Sequence, residues 1–186
     1  MMHKAAVFIA EGFEEIEALT VVDICRRADI KTDMVSVTAE RSVTGSHGIT
    51  VQCETVIADL DFDQVDMIVL PGGMPGTKNL EACDKLTAQV RAFLEQDKYV
   101  AAICAAPGIL GRMGLLDGKT AVCYPSVEPD LKGASIPHAE VATDGKLITS
   151  RGMGTAIPFA LALTEAFCGQ EAARALGDNI VFRTYA

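Results

Sequence analysis

Short apolar runs suited to buried strands alternate along this chain with longer stretches of helical period, and that alternation limits the folds open to it. The runs are residues 5–10, 32–37, 67–70, 100–103 and 120–123. Between them, residues 14–27 begin with Glu14, Glu15 and Glu17, which suits the positive end of a helix dipole. Residues 79–96 set Leu80, Cys83, Leu86, Val90, Phe93 and Leu94 at three- and four-residue spacing, so one helix with one buried face is expected there. Residues 155–168 read as a helix stopped by Gly169. Strands joined through helices pair in parallel and are covered on both faces, which is the doubly wound α/β class. Two segments read as antiparallel additions. One is 51–56, after the turn-rich 44–48; the other is a hairpin of 139–143 with 146–150, joined through Asp144-Gly145 by a type I′ turn.

The 186 residues make one domain, 1–186, with no internal repeat or linker to divide it. Hydrophobic residues at 49% and charged residues at 22% exclude a disordered chain. A net charge of −9 is the wrong sign for a general nucleic-acid or anionic-membrane binder. No apolar run approaches the ~20 residues of a membrane span, and no signal peptide opens the chain. The six cysteines include no Cys-x-x-Cys pair and are expected to be free thiols in a reducing cytoplasm.

Four motifs fail on their details. Asp59, Asp61, Asp63 and Asp66 lack the glycine and glutamate of a calcium-binding loop, having Gln64 and Leu70 at those places. Pro71-Gly72-Gly73-Met74-Pro75-Gly76-Thr77-Lys78 lies between a strand and a helix, but it has neither the Gly-Lys-Ser/Thr ending nor the Gly-x-Gly-x-x-Gly order of a nucleotide loop. What it does offer is backbone N–H groups at Gly72 and Gly73, able to meet an anion or oxyanion. His3, His47 and His138 have no metal-ligand spacing, so neither a metal nor another cofactor is expected. His138-Ala139-Glu140 matches the His-x-Glu of cysteine-dependent glutamine amidotransferases only as a tripeptide.

The informative stretch is Val100-Ala101-Ala102-Ile103-Cys104-Ala105-Ala106-Pro107-Gly108. A buried strand ends at Cys104, and a helix with Pro107 in its first turn follows. Ala102 and Ala106 flank the cysteine at two residues' distance, as small residues do in a nucleophile elbow. A thiol there meets the positive end of a helix and backbone N–H groups, both of which favour the thiolate. Cys25, Cys83, Cys123 and Cys168 lack such a context and read as packing residues. A parallel sheet gathers strand ends along one edge, so 11–17, 71–76 and 104–108 are expected to share a pocket.

With these residues in order, the chain resembles the ThiJ/PfpI superfamily, in its parkinsonism-associated deglycase (glyoxalase III-like) branch. The matching pieces are Gly12-Phe13-Glu14-Glu15-Ile16-Glu17, Val69-Leu70-Pro71-Gly72-Gly73, Ala101 to Pro107, and Leu147-Ile148-Thr149-Ser150-Arg151-Gly152-Met153-Gly154-Thr155. The resemblance implies a flavodoxin-like three-layer sandwich and a homodimer. It implies Cys104 as the functional thiol, Glu17 as a protonated partner, and Gly73 and Ala105 as oxyanion donors. Arg27 and Arg151 match basic positions near the pocket and the dimer interface. Many relatives carry a histidine after the elbow where this chain has Tyr124, so a Cys-His-acid hydrolase is poorly supported. Arg151-Gly152-Met153-Gly154 also replaces the more usual Arg-Gly-Pro-Gly.

The resemblance implies two functions. In one, Cys104 adds to a small carbonyl substrate, methylglyoxal or glyoxal, to yield a hydroxy acid, or removes early glycation adducts. In the other, the chain is a redox-responsive stress protein or chaperone whose Cys104 takes oxygen from peroxide to become a sulfinate. A lesser alternative is an amidotransferase-like hydrolase using Cys104 with His138 and Glu140.

Overall fold

A computed structural model describes residues 3–183. Its first strand, β1 (Lys4–Ile9), shows why the sheet is central. Ala5, Val7 and Ile9 bury into one core, while Ala6 and Phe8, with Ala10 just beyond, bury into another. Two buried faces on one strand demand helices on both sides.

The chain continues through α1 (Glu15–Arg27), β2 (Lys31–Ser36), β3 (Ser42–Thr44), β4 (Thr50–Gln52), β5 (Thr55–Val56) and β6 (Met67–Leu70). It then forms α2 (Gly76–Glu81), α3 (Asp84–Glu95), β7 (Tyr99–Ile103) and α4 (Pro107–Arg112). The last elements are β8 (Val141–Asp144), β9 (Leu147–Ser150), α5 (Ala156–Cys168) and α6 (Gln170–Asn179). The main sheet has seven strands in the order β5-β2-β1-β6-β7-β9-β8, all parallel except β8. One core packs α1 and α5 residues such as Val21, Phe159 and Leu163 against the sheet; the other packs Leu86, Val90 and Phe93 of α3 with Ile109 of α4. This is the flavodoxin-like three-layer α/β sandwich, with β3 and β4 paired as a separate antiparallel hairpin.

Local readings needed correction in five places. The expected helix 79–96 is two helices, because Cys83 is extended (φ −88°, ψ 94°) between α2 and α3. Leu80 and Leu86 still bury into the same core, so the apolar period runs on across the break. Residues 120–123 form only an isolated bridge, Thr120 with Ser135, since their N–H groups are taken elsewhere: Thr120 by Asp144 Oδ2 (2.8 Å) and Val122 by Thr149 Oγ1 (2.9 Å). The expected strand 51–56 divides between β4 in the hairpin and β5 at the sheet edge. The β8–β9 turn has positive φ at Gly145 (60°) but not at Lys146, the pattern of a type II′ turn instead of type I′. Finally, Gly169 (φ 85°) ends α5 and also begins α6, a helix its polar sequence concealed.

Parallel order brings the carboxyl ends of β1, β6 and β7 side by side. The segments leaving those three strand ends form the site.

Candidate active site

Cys104 follows β7 with φ +64°, a left-handed conformation that costs a side-chain-bearing residue roughly 1–3 kcal/mol. Flanking hydrogen bonds hold it there. Its N–H donates to Ser150 O (3.0 Å), and its carbonyl accepts from Tyr124 N–H (2.8 Å). Ala102 and Ala106 are completely buried, so nothing larger would pass beneath the turn. This is the strained strand-to-helix corner that the flanking alanines predict.

Glu17 reaches the same point from α1, where its side chain is buried. Its Oε2 accepts the Gly72 N–H at 2.8 Å. Its Oε1 is buried with no nitrogen or oxygen partner, and the Cys104 thiol is the group beside it. Gly72 is wedged between the two: a Cβ at 72 would stand 2.6 Å from Glu17 Oε2 and 2.7 Å from Cys104 Cβ. The Gly72 N–H, read from sequence as an oxyanion donor, is therefore spent on holding the carboxyl. The Gly73 and Ala105 N–H groups are directed at the Cys104 sulfur.

The electrostatics correct one expectation. Burial pushes the Cys104 thiol up to about 12, reinforced by the Glu17 charge and hydrogen bond, and the Ala105 and Gly73 N–H groups only partly offset this. The helix beyond is a six-residue turn starting at Pro107, too slight to reverse the balance. Burial likewise pushes Glu17 up to about 7, against hydrogen bonds from Cys104 and Gly72, with the Glu14 charge adding to the rise. Two groups that each resist charge, and resist it more when the other is charged, titrate as a pair. The pair gives up one proton near neutrality and keeps the second far into alkali.

Other predicted residues fall at varying distances from this pair. The Tyr124 ring is half exposed and borders it, together with Gly152. Arg151 precedes Gly152, and its guanidinium faces Glu128 at 3.9 Å. Arg27 is removed from the pair: it is exposed at the end of α1 and bound to Asp23 Oδ2 at 2.8 Å. His138 is exposed with no hydrogen bond among the described residues, and the Glu140 carboxylate is occupied by Arg183. The three parts of an amidotransferase triad are not assembled.

Sequence reasoning passed over Gly152, whose open face looks onto the Cys104 sulfur, and the role of Glu15. The Glu15 carboxylate is buried in the turn between β3 and β4, accepting His47 N–H at 2.7 Å and lying 3.1 Å from His47 Nδ1. Burial alone would raise its pKa, but hydrogen bonds from its own N–H, from His47 and from Ile49 together bring it down to about 2. Among the described residues, Glu14, Glu15 and His47 are the group whose potential metal-ligand atoms all lie within 4.8 Å of one another. No described helix is long and apolar enough to cross a membrane.

Residues 3–166 match the model of the DJ-1/PfpI family. The chain is 36% identical over 97% of its length to Protein DJ-1 homolog B of Arabidopsis thaliana, of which it spans 42%. It spans under half of each of the two Arabidopsis relatives it matches. It is 33% identical over 97% of its length to Protein dj-1beta of Drosophila melanogaster, covering 98% of that chain. Among solved structures, oxidized DJ-1 of Toxoplasma gondii superposes with a TM-score of 0.93 at 34% identity, covering 97% of this chain and 99% of that one.

Proposed function

The chain belongs to the DJ-1/PfpI family, and from that premise we propose that it converts small 2-oxoaldehydes to hydroxy acids through Cys104, without a cofactor. The observation that carries this reading is the unpartnered Glu17 Oε1 beside a thiol whose other neighbours are N–H groups. In the singly protonated pair the charge rests on Glu17, and Oε1 takes the thiol proton as the sulfur attacks. The Cys104 sulfur forms a bond to the aldehyde carbon, the carbonyl π pair moves to oxygen, and Glu17 supplies the proton that completes a hemithioacetal. The Gly73 and Ala105 N–H groups meet the charge developing at the reacting centre.

Glu17, now a carboxylate, takes the hydrogen of the former aldehyde carbon as a proton. The electron pair left behind forms an enediol with the neighbouring carbonyl. Reprotonation at the neighbouring carbon leaves a thioester, and water cleaves it to hydroxy acid and free thiol. One carbon is oxidised and its neighbour reduced, so no outside oxidant or reductant enters. Deglycation of early adducts would use the same addition to sulfur.

Lactate formed from methylglyoxal, measured apart from aldehyde trapped reversibly on thiols, tests the reading. Wild type should turn over and Cys104→Ala should not; lactate production by Cys104→Ala at the wild-type rate would end it.

A second reading uses the same groups. Peroxide would deliver an oxygen atom to the Cys104 thiolate in each of two steps, leaving as water each time, and the resulting sulfinate would be held by Glu17 and the two N–H groups. The cradle at sulfur favours it, as does the relative solved in oxidized form. The chain would then act as a redox-responsive stress protein. In either case a homodimer is expected, because exposed Ile16, Ile49 and Ile157 line one groove together with Arg27. Six unpaired cysteines suit a reducing cytoplasm.

A further inference from the structure

Three glycines meet at the Cys104–Glu17 pair, and they are glycine for different reasons. At Gly72 a side chain would collide with Glu17 and Cys104; at Gly73 (φ 91°) it would stand 2.3 Å from the Glu14 backbone nitrogen. Gly152 is neither crowded nor twisted. Its backbone is extended (φ 160°, ψ −168°), a conformation open to any residue. A Cβ there would lie 3.8 Å from Cys104 Sγ, 3.9 Å from Glu17 Oε1 and 3.6 Å from Tyr124 Cδ2, all ordinary contact distances. A methyl at 152 would therefore touch the nucleophile, the acid and the phenol ring together.

We propose that the carbon under attack approaches the sulfur over the bare face of Gly152, and that the missing side chain at 152 sets the size limit on what reaches the sulfur. The inference rests on Cys104 acting as the nucleophile of the proposed reaction. A carbonyl carbon passing over Gly152 comes against both Sγ and Glu17 Oε1, the groups that a methyl at 152 would touch. The rest of the molecule leaves past the half-exposed Tyr124 ring, so the class admitted is unbranched at the reacting carbon.

The test compares Gly152→Ala with Gly154→Ala, whose added methyl would meet nothing within 4 Å. Gly152→Ala should fold as the wild type does and lose at least about 100-fold in kcat/KM for both methylglyoxal and glyoxal. Gly154→Ala should keep the wild-type value. Alkylation of Cys104 by iodoacetamide, followed by intact mass across pH, supplies a readout that does not depend on turnover. In Gly152→Ala the plateau rate should fall at least about tenfold while the pH midpoint stays within about half a unit. An unchanged plateau overturns the inference. So does a moved midpoint, because the methyl would then act on the protons of the pair and not by filling the space.

If the wild type makes no lactate, the oxoaldehyde reading fails and the alkylation plateau still judges the size limit. Should Gly152→Ala not fold, the wild type alone decides. Its preference for iodoacetamide over 2-iodopropanamide, branched at the attacked carbon, should exceed that of glutathione about tenfold. A preference equal to that of glutathione overturns the inference.

Discussion

Glu15 and Glu17 stand two residues apart on one helix, are both buried, and are driven in opposite directions: Glu15 down to about 2, Glu17 up to about 7. Burial raises both. What separates them is the number of donors each one meets. Glu15 projects into the turn at 45–49, where N–H groups of His47 and Ile49 and the Ser46 hydroxyl converge on it. Glu17 receives a single N–H, from Gly72, and otherwise faces a thiol that would itself prefer to stay neutral. Helix position is nearly shared, so the loops opposite decide that one carboxyl is a structural anion and the other a proton store.

The widest break in this contrast should come from Glu17→Gln. Removing the proton store should lower turnover of methylglyoxal about 10²–10⁴-fold, as loss of a general acid–base does. Its stability should move the other way. The folded value for Glu17 lies above the ordinary 4.5, so wild-type stability declines as pH rises from about 4.5 to about 7. Glu17→Gln should lack that decline in urea unfolding over the same window.

Gly72→Ala comes next. Its methyl collides with both members of the pair, and it should lower unfolding free energy by about 1–3 kcal/mol while disturbing thiol titration. Glu15→Gln should cost about 1–2 kcal/mol near neutrality, by weakening the hydrogen bonds that tie the turn to α1. The sign for Glu15 is opposite to that for Glu17: its folded value is depressed, so its contribution is whole above about pH 4.5 and is lost as pH falls toward about 2. Acid unfolding of Glu15→Gln should be correspondingly flatter. His47→Ala is the smallest change, since the ring is mostly exposed; its melting temperature at neutral pH should stay close to that of the wild type.

Much of this architecture was legible in residues alone, for identifiable reasons. Residues buried on both faces of β1, β6 and β7 announce a parallel sheet, and Ala102 and Ala106 announce the corner at Cys104. The gap between α2 and α3 was not legible, because Leu80 and Leu86 keep their period across it. The protonation of Cys104 was misread for a related reason. A cysteine before a helix suggests a thiolate, but the opposing influence comes from Glu17, 87 residues earlier in the chain, and from the depth of the site. Gly152 was invisible because its importance is an empty space, which no local pattern records.

The central claim is that Glu17 and Cys104 titrate as one pair, in which the Glu17 charge and hydrogen bond hold the Cys104 thiol protonated far above its ordinary value. The direct measurement is the pH dependence of Cys104 alkylation by iodoacetamide in wild type and Glu17→Gln, read by intact mass. The pair predicts a wild-type midpoint well above the ordinary thiol value of about 8.5, falling once Glu17 is replaced by the neutral amide. Superimposable curves for the two proteins would contradict it.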